Sequence, residues 1–251
     1  MAAALAAVSA FTAPAFAAPV SYSFGTNAQA FGNADIISLL NATTGVSGSF
    51  QYNSASPLYG QSGNLGFESG YSVYIGTNAN NLAFRALQGN AGGHLFSDVL
   101  GSANVANNNP NLGGADTLSL IADSTVPAGA NTPSKDSYPL TGFTVGGYKL
   151  NNVRLFWVAG QGSTGAFLND NSLPGALPGT TGRLALDFVR TDDPTNQAGR
   201  PFYANTVFFD GLTVHTATAT VPEPATCAML LAGLVAVGAW GRQRKASQTK
   251  V

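Results

Sequence analysis

Between about Ala18 and Thr220, apolar and polar residues alternate in short runs, and no stretch keeps the spacing of an amphipathic helix. Tyr71, Val73 and Ile75 alternate with Ser72 and Tyr74, and Leu118 and Leu120 flank Ser119. Val153, Leu155 and Trp157 alternate with Arg154 and Phe156, as Leu184, Leu186 and Phe188 do with Ala185 and Asp187. Val207, Phe209, Leu212 and Val214 close the series. Period-two runs rich in β-branched and aromatic side chains predict strands. Asn107 to Asn111, Gly146-Gly147, Asn151-Asn152 and Leu173-Pro174-Gly175 separate them with turn chemistry. About eight or more such strands in one domain predict an all-β fold, a two-sheet antiparallel sandwich of jelly-roll type. Ile36 to Leu40 is ambiguous and is compatible with one helical turn.

The two ends break this pattern. Ala2 to Ala13 is an Ala-rich apolar stretch too short to span a bilayer, followed by Pro14 to Pro19. It ends in the small-x-small pattern of a signal-peptidase site. Ala15-Phe16-Ala17 places the cut before Ala18, because a cut one residue later would set Pro19 against the scissile bond. Residues 1–17 therefore read as a signal peptide and 18–220 as the exported domain. No Lys or Arg precedes the apolar stretch, a departure from the usual basic leader that points to a start upstream of Met1.

At the other end, no charged residue lies between Glu223 and Arg242, and residues 225–241 are almost wholly apolar. At about 1.5 Å per residue this span reaches about 25 Å, the short limit for a transmembrane helix. Arg242, Arg244 and Lys245 follow at once and set the topology, with residues 246–251 as a cytoplasmic tail and the domain outside. Val221-Pro222-Glu223-Pro224, the apolar helix and the basic end together resemble the PEP-CTERM sorting signal of Gram-negative bacteria, over residues 221–245. That resemblance implies recognition of Pro222, Glu223 and Pro224 by a membrane protease of the exosortase type, with removal of the tail during sorting to the surface. The two prolines fit such a role, since they keep the backbone extended beside the membrane. Val46 to Asn53 and Asn169 to Pro174 are also similar to the β-rich bodies of many PEP-CTERM proteins.

Charge sharpens the picture. Only 9% of residues are charged, against about 25% in typical soluble proteins. Four of the 11 basic residues lie in the last ten positions, so the rest sets seven bases against 12 acids, a net −5. That balance offers no footprint for nucleic acid. The one cysteine, Cys227, lies in the apolar tail, so no disulfide forms within the chain and stability must come from a core.

Catalytic signals are weak. Gly160-Gln161-Gly162-Ser163-Thr164-Gly165 matches a dinucleotide fingerprint in spelling, but Ala166 to Gly175 cannot supply the helix that a pyrophosphate needs. Gln161 stands where a nucleophile elbow around Ser163 requires glycine. His94 and His215 lie in no motif, and two histidines with no cysteine outside the tail make a poor zinc set. Asn169-Asp170-Asn171 and Asp192-Asp193 with Asn196 offer oxygens of the kind that hold Ca²⁺, though neither follows a calcium-loop pattern and Asn and Asp favour turns without an ion. No other cofactor is indicated. Trp157, Tyr71, Tyr74 and Tyr203 are candidate sugar-stacking rings if they face out from a sheet. The sequence thus points to a non-enzymatic cell-surface, biofilm or exopolysaccharide-matrix protein with a structural or adhesive role. The alternatives are an extracytoplasmic polysaccharide hydrolase or lyase, and a carbohydrate-binding module.

Overall fold

A computed structural model describes residues 18–41, 43–61, 72–74, 82–109, 112–123, 140–159, 166–192 and 205–217. The chain divides into two compact units, Met1–Ala217 and Thr218–Val251. The second unit lies wholly outside the described residues, as does the expected signal peptide up to Ala17. The expected sorting residues Pro222, Glu223 and Pro224, the helix at 225–241 and the basic residues Arg242, Arg244 and Lys245 lie outside them as well. Among the described residues no helix is long and apolar enough to cross a membrane.

The described residues of the first unit lie mostly in antiparallel strands. Eight of them form a ring: β1 (Val20–Gly25), β3 (Val46–Tyr52), β6 (Phe84–Ala91), β7 (His94–Asn109), β8 (Ala115–Asp123), β10 (Tyr148–Val158), β11 (Gly182–Arg190) and β12 (Thr206–Thr216). Hydrogen bonding runs β7–β6–β3–β1–β12–β11–β10–β8, and β8 returns to β7 with Ser102 opposite Ile121. Short strands flank the ring: β2 (Ala30–Gly32) on β12, β4 (Leu58–Gln61) on β5 (Ser72–Tyr74), β5 on β7, and β9 (Thr144–Val145) on β10.

The expected sandwich is therefore wrong, and so is the jelly-roll arrangement: the sheet closes into an eight-stranded barrel. The reason lies in two long strands that serve both halves. β7 pairs with β6 as far as Gly101 and with β8 from Ser102 onward. β12 pairs with β11 as far as Leu212 and with β1 from Thr213. A glycine sits at each crossover. A Cβ on Gly101 would strike the Phe84 ring and lie 2.7 Å from the Ile121 carbonyl. Gly211 is an extra residue in β12 with φ of 70°, a conformation other residues adopt only under strain. Bulges at such points bend a strand and carry it from one sheet direction into the next.

Alternation fills the interior. Val153, Leu155 and Trp157 of β10, Leu184, Leu186 and Phe188 of β11, and Val207 and Phe209 of β12 are all buried in one core. Across the barrel Phe50 gathers Tyr22, Phe24 and Phe84, with ring centroids 5.5, 6.0 and 5.3 Å away. One end is covered by α1 (Ala34–Leu40), the helical turn left open by the sequence. The Asn33 side chain caps it by accepting the Ile36 N–H at 3.1 Å, and Asn41 ends it in the left-handed conformation. Ile36 and Leu40 face the core.

The opposite end is closed by residues 166–181, an irregular segment that drives Leu168, Leu173 and Leu177 into the core. Its anchor is the buried carboxylate of Asp116. One oxygen accepts the N–H groups of Phe167 and Leu168, both at 2.9 Å, and the other accepts Asn108 N–H at 3.1 Å. Asn171 accepts Asn107 N–H at 2.6 Å, and Tyr74 and Tyr52 donate their phenols at 2.7 Å to the carbonyls of Asn171 and Pro174. Burial pushes the Tyr52 phenol far above its usual pKa.

Two stretches expected as turns hold bulges, although the first, Asn107 to Asn111, also runs into the turn at Gly113-Gly114, with Pro110 and Asn111 outside the described residues. Asn107 and Asn108 stand together opposite Asp116 inside β7, with Asn108 at φ of 54°, and Asn151 is an extra residue within β10. Gly146-Gly147 is a tight turn as expected, with both φ values positive, and joins β9 to β10.

Candidate functional site

The proposed sugar-stacking rings split. Trp157 is 1% exposed and Tyr74 is 8% exposed, so both belong to the core and cannot stack on a ligand outside. Tyr71 and Tyr203 lie outside the described residues. Ala18 is exposed just ahead of β1. His94 stacks on Phe143 with centroids 4.8 Å apart, while His215 is exposed on β12 opposite Ser23, so the two histidines serve different strands. Gly160 to Gly165 lies outside the described residues, and residues 166–181 carry no helix, as expected.

The oxygen-rich loops are engaged with the protein itself. Asp170 accepts the Ser172 N–H at 2.7 Å, and Asn171 ties the end segment to β7 as described above. Asp192 is paired with Arg190 at 2.6 Å, and that hydrogen bond holds its carboxyl below the usual carboxylate range. Asp193 and Asn196 lie outside the described residues. Among the described residues no group of three His, Cys, Asp or Glu side chains is placed to hold a metal ion.

The concentration of unusual chemistry is elsewhere, on the outer face of β10, β11, β12 and β2. Because Val153, Leu155 and Trp157 point inward, Arg154 and Phe156 must point out. The same rule sets Arg183, Ala185 and Asp187 outward on β11, and Thr206, Phe208 and Asp210 outward on β12. Register then assembles them into rows. Phe156 lies opposite Arg183, which lies opposite Asp210. Arg154, Ala185, Phe208 and Phe31 form the next row. Below it Asn152, Asp187 and Thr206 make a polar row, with the Thr206 hydroxyl donating to Asp187 and Arg154 3.5 Å from the same carboxylate.

In the upper rows Phe31 stacks on Phe208 at 5.1 Å, and Phe156 meets Phe208 edge-on at 6.5 Å. These two rings lean together across β11 where its outward residue is the small, buried Ala185. Arg183 Nε donates to Asp210 at 2.6 Å, and the guanidinium lies 4.9 Å over the Phe31 ring. An open groove of about 360 Å³ runs beside them. Its walls are Phe156 and Val158 on β10, Thr181 to Arg183 at the start of β11, and Asp210 and Gly211 at the β12 bulge. The Arg183 and Asp210 side chains remain 43% and 50% exposed. An ion pair so wet contributes less than about 1 kcal/mol to folding. Its interest is chemical: a fixed fork of donors beside an acceptor, next to an aromatic ring.

The family model for the PEP-CTERM protein-sorting motif matches residues 220–245. The motif implies an exported chain processed by exosortase, a membrane protein. No curated protein and no solved structure matches the chain.

Proposed function

We propose that this chain, exported and sorted through its PEP-CTERM motif, serves at the outer surface or in the extracellular matrix as a non-enzymatic structural or adhesive protein. The observation that carries the reading is a sorting motif that follows, along the chain, a barrel whose interior is filled by its own side chains. An eight-stranded barrel is just wide enough for that, and a filled one leaves only the outside as a working surface.

The hydrolase alternative is disfavoured by the groove's chemistry. Glycoside hydrolysis needs two carboxyl groups facing each other across the bond. Among the described residues that line the groove, Asp210 is the one carboxylate, and Arg183 holds it. The test replaces Pro222, Glu223 and Pro224 by Gly-Ser-Gly in the native host, leaving the apolar span and Arg242, Arg244 and Lys245 intact. The full-length protein should then accumulate in the membrane and vanish from the surface fraction. Unchanged surface display of this variant would overturn the reading.

A further inference from the structure

We propose that the groove beside Arg183 and Asp210 binds a neutral glycan, which deepens the adhesive reading above and rests on it. A pyranose ring presents an apolar, weakly positive C–H face and a rim of hydroxyls that both donate and accept. The groove offers the complement of each. Phe156 supplies an aromatic face with negative quadrupole, and Val158, 44% exposed, extends it.

Arg183 commits only its Nε to Asp210, and its two terminal amino groups are donors with no hydrogen-bond partner among the described residues. One Asp210 oxygen likewise has no partner among the described residues and can accept. A donor and an acceptor fixed side by side match two neighbouring hydroxyls. The clamp is pre-set, because Asp210 and the Phe31 ring hold the guanidinium before any ligand arrives.

Charge selects a neutral glycan over an acidic one. The ion pair sums to zero, and outside its last ten residues the chain carries a net −5, which repels a polyuronate. Geometry disfavours a peptide strand. β11 is hydrogen-bonded on both edges, to β10 and to β12, so no free ladder exists here for a backbone to join. Gly182, whose Cβ would strike the buried Trp157 ring, and the Gly211 bulge, whose Cβ would strike Asn27, line the same groove beside the fork.

The test uses the mature protein on an immobilised array of neutral β-glucan, mannan and galactan oligomers beside uronate oligomers, followed by titration of the best binder. Binding confined to neutral oligomers is expected. Arg183→Ala and Phe156→Ala should each weaken it at least tenfold, Asp210→Asn by less, and Arg190→Ala, in an ion pair elsewhere, not at all. Thermal melts and circular dichroism check that the variants are folded. No binding anywhere on the array, binding only to uronates, or neutral binding that survives both Arg183→Ala and Phe156→Ala would each overturn the proposal. Surface display of Arg183→Ala is scored in parallel. Its retention alongside lost binding supports a sugar site on a correctly sorted protein, whereas wild type missing from the surface would sink the adhesive reading itself.

Discussion

Asp116 is the residue on which closure of one barrel end depends, and its replacement has a calculable cost. In Asp116→Ala the N–H groups of Asn108, Phe167 and Leu168 lose their acceptor together. A buried donor left unsatisfied costs about 1–3 kcal/mol. Leu168 N–H is buried and the other two bonds are part-buried, so the sum falls near 3–5 kcal/mol. The segment could instead swing out and wet its amides. That would expose Leu168, Leu173 and Leu177, at about 1.5–3 kcal/mol each. The second route costs as much or more, so the segment should stay in place and the protein should become less stable. Asp116→Asn keeps a carbonyl for Phe167 and Leu168 but turns an amide donor toward Asn108 N–H, at about 1–3 kcal/mol. Equilibrium urea unfolding measures both, with the midpoint falling in the order wild type, Asn, Ala and an unchanged slope. Asp192→Ala, which breaks an exposed pair, should leave the midpoint where it is. Hydrogen exchange should show lost protection first at Phe167 and Leu168. If Asp116→Asn matches wild type, or Asp116→Ala exchanges no faster at those amides, the carboxylate is not the anchor.

Gly211→Ala meets a φ of 70° and the Asn27 side chain, so it should cost more than about 1 kcal/mol and lower Tm by at least ~2–4 °C. An unchanged melt would mean that β12 does not bend there. Tyr52 ionises at about 10.0 when unfolded and well above that when folded, so its stabilising contribution is complete below pH ~10. As pH rises further, the unfolded chain ionises and the folded one does not, so stability drains away. Tyr52→Phe should start less stable, having lost the bond to Pro174, but should decline less steeply in alkaline melts. Parallel curves would show that the phenol is not held neutral.

How far the fold was legible depended on side-chain size at the inward positions. β10, β11 and β12 carry large inward residues, and their alternation reads directly. β7 does not. Its inward positions include Ala103 and Val105, its outward ones include Leu95 and Val99, and its end is the Asn107 to Asn109 run that resembles a turn. Closure was not legible at all, because a period-two pattern reports which face is buried and not which strand is shared. It rests on Gly101 and Gly211, single glycines whose neighbours in space are distant in sequence. The groove was half visible. The alternation that buries Trp157 puts Phe156 outside, and the one that buries Leu184 puts Arg183 outside. That Arg183 would meet Asp210 and Phe31 required the register. The sorting motif was fully legible, since its recognition is a matter of local sequence.

The central claim is that this barrel is exported and released from its own tail, and the most direct measurement of it is the intact mass of the mature protein recovered from the native host. The expected mass begins at Ala18 and ends near Val221, without Arg242 to Val251. A mass that still includes the basic end would show that the tail is a plain anchor and that the sorting account is wrong.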